Sequence, residues 1–144
     1  VKECLPTLLR SPHPVIYCPA RGIDSYRMLP ELRKPLAAGR LLLLSPFAKD
    51  VTRITSETAQ QRNRFVAAVA TRIFVYHAAP GSNTEQFCRE LVALGKHVLT
   101  FDSEANRNII ESGVTPVDLA DIREHIDDLA STLPRDAGLG ASLL

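Results

Sequence analysis

Two short groups of residues in this chain have the types and spacing from which a phosphate site is built. One is Arg62-Asn63-Arg64; the other is Gly81-Ser82-Asn83-Thr84, which follows Pro80 and precedes Glu85. Arginine suits phosphate because its planar guanidinium offers paired donors to two oxygens. A turn of small residues running into a helix aims backbone N–H groups and the positive helix end at one place, where an anion can sit. The same turn also reads as plain capping, with Ser82 or Asn83 as N-cap and Glu85 or Gln86 in the first turn. The two roles are compatible. On an ideal helix Arg62 and Arg64 project about 200° apart, so they cannot share one face. One then points to the pocket and the other pairs elsewhere.

Other reactive side chains form no such constellation. His77 stands at the end of an apolar run just before the turn, a position where ligands gather in α/β folds, although a lone histidine is more often a hydrogen-bonded structural residue. His13, His97 and His125 have no ligand spacing. Cys4, Cys18 and Cys88 are odd in number and lack CxxC spacing, so they read as small buried hydrophobes rather than zinc ligands or a disulfide framework. No Ser-His-Asp or Cys-His arrangement follows from sequence order. The expectation is a binding module without catalytic residues, metal or cofactor.

The elements that must position these residues alternate between strand and helix. Strands are expected at Val15–Cys18, Leu41–Ser45, Arg72–His77 and His97–Phe101, with a further short extended segment at Val114–Val117. The unalternating Leu41–Leu44 run fits a strand covered on both faces. Helices are expected at Tyr26–Ala38, where Pro30 and Pro35 leave either a start near Pro30 or a broken segment, at Thr55–Ala70 with Phe65, Val66, Val69 and Ala70 inward, at Thr84–Leu94 with Phe87, Cys88, Leu91 and Val92 inward, and at Ser103–Ser112. Gly39, Gly95 and Gly113 close three of them. Leu119, Ile122, Ile126, Leu129 and Leu133 recur at helical steps, with Asp118 as N-cap, and form an outer amphipathic helix. The pattern gives an α/β fold: a Rossmann-like parallel sheet of four or five strands with helices on both faces. Residues 1–133 read as one such domain and residues 134–144 as a flexible tail.

Within that frame, QRNRFVAAVA, HAAPGSNTEQFCRELVALGKHVLTF and ANRNIIESGVTPV resemble the Arg-Asn-Arg helix, the Gly-Ser turn with its helix and strand, and the closing Asn-x-Leu-Ile-x-x-Gly-Ala element of the DprA/Smf (DNA-processing protein A) family. The family sits within a wider group that includes the LOG-like phosphoribohydrolases. The likeness covers most of Val15 to Val117. It implies phosphate contacts by Arg62, Asn63, Arg64, Gly81, Ser82, Asn83 and Thr84, a ligand that is single-stranded DNA or a nucleotide, a role in DNA uptake, and a recombinase or a second copy of the chain as protein partner. Two departures are visible. The family's first βα unit, with its Gly-rich phosphate loop, is not among these residues; Ala20-Arg21-Gly22-Ile23-Asp24 echoes that loop but aligns with a later turn. Asn106 and Asn108 straddle the expected closing asparagine. The alternative is a LOG-like enzyme, whose Pro-Gly-Gly-x-Gly-Thr-x-x-Glu motif would place its catalytic glutamate at Phe87.

Composition bounds the rest. The 144 residues are 45% apolar and 23% charged, enough for one buried core. No apolar run approaches the roughly 20 residues of a membrane span. The absence of a signal-peptide pattern suggests a cytoplasmic chain, and a start at Val1 suggests a fragment. Residues 1–100 carry 14 Lys/Arg against 7 Asp/Glu, whereas residues 101–144 carry 3 against 9. The phosphate-attracting potential therefore belongs to the first part. With three Tyr and five Phe, most of the latter expected in the core, aromatic platforms for single-strand stacking are few.

Overall fold

A computed structural model describes residues 5–24, 26–118 and 120. The architecture is α/β with parallel strands throughout. In chain order the elements are α1 (Leu5–Arg10), β1 (Val15–Tyr17), α2 (Pro30–Ala37), β2 (Leu41–Leu43), α3 (Ser56–Val69), β3 (Arg72–Val75), α4 (Asn83–Ala93), β4 (His97–Phe101), α5 (Arg107–Ile110) after a 3-10 turn at Glu104–Asn106, and β5 (Thr115–Val117). The expected single sheet is divided in two. β1 pairs with β2, with Val15 opposite Leu41, and β3–β4–β5 form a second parallel sheet, with Arg72 opposite His97 and Leu99 opposite Thr115.

Local chemistry explains the boundaries. Within the Tyr26–Ala38 stretch, where the prolines leave open a start near Pro30 or a break, α2 begins at Pro30. Proline suits the first helical position, having no N–H to lose there, and it holds the preceding residue out of the helical region. Leu29 is accordingly extended, with ψ 140°. α3 begins at Ser56 behind a reciprocal cap: Thr55 Oγ1 accepts from Thr58 N at 3.1 Å, and Thr58 Oγ1 accepts from Thr55 N at 2.9 Å. That arrangement satisfies two of the four N–H groups a helix start leaves bare. α4 ends in a Schellman motif. Gly95 takes φ +71°, its N–H donates to Val92 O, and Lys96 N donates to Leu91 O.

The core lies between the second sheet and α4. Ala67, Ala78, Cys88, Leu91, Val98, Ile109 and Val114 are buried together, with Ile73, Val75, Phe87 and Val92 packed against them. The inward face anticipated for α4 is the one observed. The face anticipated for α3 is not. Ala67 is its buried residue, Phe65 and Ala70 are half-buried, Val66 is exposed, and Val69 is 66% exposed. A small side chain lets α3 approach the core closely. Val66 and Val69 instead share the face of Arg62, at steps of four and three.

The β2 expectation is also corrected. Leu42 is exposed, as is its register partner Ile16 on β1, so the first sheet has one open face. In β3, Ile73 and Val75 turn to the core while Phe74, and Tyr76 just beyond the strand, turn to the other face. There they meet Phe101 edge-on at centroid distances of 4.9 and 5.3 Å. Both remain partly open to solvent, so fewer aromatics are buried than the sequence suggests.

The amphipathic segment from Leu119 onward and the 134–144 tail lie outside the described residues. Among those described, no helix is long and apolar enough to cross a membrane, and no group of three or more His, Cys, Asp or Glu side chains could hold a metal ion.

Candidate phosphate-binding site

Arg62, Asn63 and Arg64 fall in the middle of α3 rather than at its start, because the Thr55 cap begins the helix seven residues earlier. Helical geometry then separates the two arginines as their spacing demands. Arg62 turns toward the first sheet: its Nη1 donates to Cys18 O at 2.9 Å, just past the carboxyl end of β1, and its Nε donates to Asn63 Oδ1 at 2.8 Å. Arg64 turns toward α4, where its Nη2 lies 3.5 Å from Glu90 Oε2. That pair is solvated, so it is worth no more than about 1 kcal/mol and leaves Arg64 able to exchange Glu90 for another anion.

The turn before α4 carries its own carboxylate. Gly81 N donates to Glu85 Oε2 at 2.7 Å, Arg89 Nη2 donates to Glu85 Oε1 at 3.0 Å, and Asn108 also bonds that carboxyl group. Donation from Gly81 first, then from Asn108 and Arg89, holds the Glu85 carboxyl below the usual range. Ser82 is the N-cap, its Oγ accepting from Glu85 N at 3.2 Å. Glu85 thus fills the anion seat at Gly81, and Ser82 is engaged in capping. Asn83 and Thr84 remain exposed in the first turn, with the backbone N–H groups that helix geometry leaves without an intrahelical acceptor.

Four of the seven nominated residues therefore come together. Asn63 and Arg64 from α3 face Asn83 and Thr84 from α4 across a recess of about 210 Å³, bordered also by Ser56 and Glu90. Arg62 stands on another side of α3, and Gly81 and Ser82 are occupied within the turn. Phe87 lines the recess and packs on the core, so the position where a LOG-like enzyme needs its glutamate is apolar.

The echo at Ala20–Asp24 has a structural explanation. Gly22 N donates to Val51 O at 2.8 Å, and a Cβ on Gly22 would stand 2.5 Å from Ala48 O. Glycine here lets the loop after β1 pack against the 45–51 loop; Ser45 Oγ, donating to Arg21 O at 2.8 Å, completes that seam.

Sequence reasoning missed the polar centre beyond β3. Asn106 is 2% exposed. Its Nδ2 donates to Tyr76 O at 3.1 Å and to Thr100 Oγ1 at 2.8 Å, while its Oδ1 accepts from Ala78 N at 3.4 Å and lies 3.0 Å from His77 Nδ1. Thr100 passes its own proton to Val75 O at 2.8 Å. Asn108 Nδ2 donates to Ala78 O at 3.0 Å. Together the two asparagines tie the 76–81 segment and Glu85 to α5. Their sequence signal was the pair of asparagines straddling one expected position. Each holds part of the turn.

Among the described residues, Cys88 is buried and Cys18 half-buried, and both thiols are free. Cys88 is fully buried and its thiol is pushed up to about 11, first by burial and then by the Glu85 charge. Burial also raises the Cys18 thiol, with Arg62 opposing.

No protein-family model, curated protein or solved structure matches the chain.

Proposed function

We propose that the chain is a DprA-like DNA-processing module that holds single-stranded DNA through phosphate contacts. The observation that carries this reading is the recess where Arg64 and Asn63 face the exposed first turn of α4 at Asn83 and Thr84. Guanidinium, amide, hydroxyl and helix-end N–H groups converge there, a donor set suited to a phosphodiester. Size separates the two ligands left open by the sequence. At about 210 Å³ the recess is below the ~300–1,000 Å³ of pockets that engulf a small molecule. It takes a phosphate and leaves the base outside, which favours a strand laid across the surface over a buried nucleotide. A recombinase partner rests on the family resemblance alone.

The test is titration of labelled oligo-dT at two salt concentrations. Arg64→Ala lowers affinity for all sequences alike and reduces the salt slope by about 0.7, the value for one phosphate contact on a single strand. Salt-independent binding, or binding untouched by Arg64→Ala, refutes the site. Release of free base from a nucleoside monophosphate would instead establish the LOG-like alternative.

A further inference from the structure

Asn106 determines which nitrogen of His77 carries the proton, and the assignment does not depend on the ring. Tyr76 O can only accept, so the Asn106 atom 3.1 Å from it is the donating Nδ2. Ala78 N can only donate, so the atom facing it is the accepting Oδ1. That oxygen lies 3.0 Å from His77 Nδ1, and the contact requires Nδ1–H. Neutral His77 therefore presents Nε2 as a bare lone pair, and cationic His77 presents Nε2–H. The Nδ1 bond survives in both states.

Such an arrangement exceeds what an exposed structural histidine needs. A buried amide is costly unless its donors and acceptors are met, and here two donations and two acceptances engage it fully. The ring it holds is exposed and stands beyond the carboxyl end of β3, one residue before the turn that leads to α4. Ligands of parallel α/β sheets approach at that edge. A second group orienting a histidine by its far nitrogen is the device by which proteins aim the near one.

We propose that His77 is a ligand-contacting residue, its Nε2 directed at the phosphate backbone of a strand that also engages Arg64. The inference rests on the single-strand reading above and adds a pH-sensitive contact to it. The Asn106 amide that bonds the ring is neutral. Charged groups on neighbouring elements are Asp102 after β4, the Glu85–Arg89 pair of α4, the Glu104–Arg107 pair at α5, and Arg62 and Arg64 of α3. Most of these charges are paired, so the phosphate is the new charge the imidazole meets on binding. A bound phosphate favours the imidazolium, whose Nε2–H donates to it, so the contact is stronger in acid.

Two measurements on the full chain test this. A long-range proton–nitrogen NMR spectrum at pH 8 is expected to show neutral His77 protonated at Nδ1; protonation at Nε2 overturns the inference. Oligo-dT is expected to bind several-fold more tightly at pH 5.5 than at pH 8, and His77→Gln is expected to flatten that profile. A pH dependence that persists in His77→Gln overturns the role of His77 while Arg64→Ala still reports on the site itself. If oligo-dT fails to bind at any pH, the single-strand reading fails, and titration with inorganic pyrophosphate decides for His77: a shift of its ring signals that Arg64→Ala abolishes retains the contact, and unmoved signals refute it.

Discussion

Replacing Asn106 by alanine removes the buried side chain that, together with Asn108, bonds the segment beyond β3. The perturbation strips Ala78 N–H of its acceptor, Tyr76 C=O of its donor, and Thr100 Oγ1 of one of its two bonds. The first two are left without partners beside a buried core, at about 1–3 kcal/mol each, and Thr100, which keeps its bond to Val75 O, loses about 0.5–1.5 kcal/mol. His77 is exposed, and water replaces its partner at little cost. The expected total is about 2.5–7.5 kcal/mol. With a urea m-value of about 1.5 kcal/mol/M, the unfolding midpoint falls by about 2–5 M at unchanged slope. Asn106→Asp separates donor from acceptor loss. The aspartate keeps Oδ1 for Ala78 but sets a buried carboxylate against Tyr76 O, so its folded pKa is raised and the variant regains stability as pH falls. His77→Gln is the control, expected within about 0.5 kcal/mol of wild type. A midpoint drop below about 0.5 M for Asn106→Ala, or an Asn106→Asp variant insensitive to acid, would refute the reasoning.

The depressed Glu85 carboxyl contributes stability that is present above its unfolded pKa and is lost as pH falls through the lower folded value. Urea midpoints measured from pH 6 down to pH 2 should therefore fall less steeply in Glu85→Gln than in wild type, and parallel curves would show that the carboxylate is not held as described. Val69→Lys, on the open face of α3, should change stability by less than about 0.5 kcal/mol, whereas Ala67→Asp, which buries an unpaired charge, should cost several kcal/mol and unfold much of the chain; equal effects in thermal melts would restore the face expected from periodicity. Cys88 should resist alkylation at pH 7, since a thiol near pH 11 is only about one part in ten thousand thiolate, and should react fully in urea; rapid labelling of folded protein at this residue would contradict its burial.

Much of the molecule was legible from local patterns. The α/β class, the positions of the strands along the chain, the inward face of α4, and the glycines that close α2 and α4 follow from period and punctuation, because hydrophobic repeat and backbone permissiveness act within a few residues. The divergence of Arg62 and Arg64 follows from their spacing alone. Other features required the tertiary structure. Whether α3 meets the core through Ala67 or through Val66 and Val69 depends on how closely the helix approaches the sheet, which its own sequence does not state. That Glu85 reaches back to Gly81 and removes it from the anion site depends on one rotamer held by Arg89 and Asn108. That Asn106 orients His77, 29 positions earlier, depends on the adjacency of β3 and β4 and on the fold of α5 beside them. These contacts join residues distant in the chain, and their energies come from burial and hydrogen bonding that exist only once the sheet has assembled.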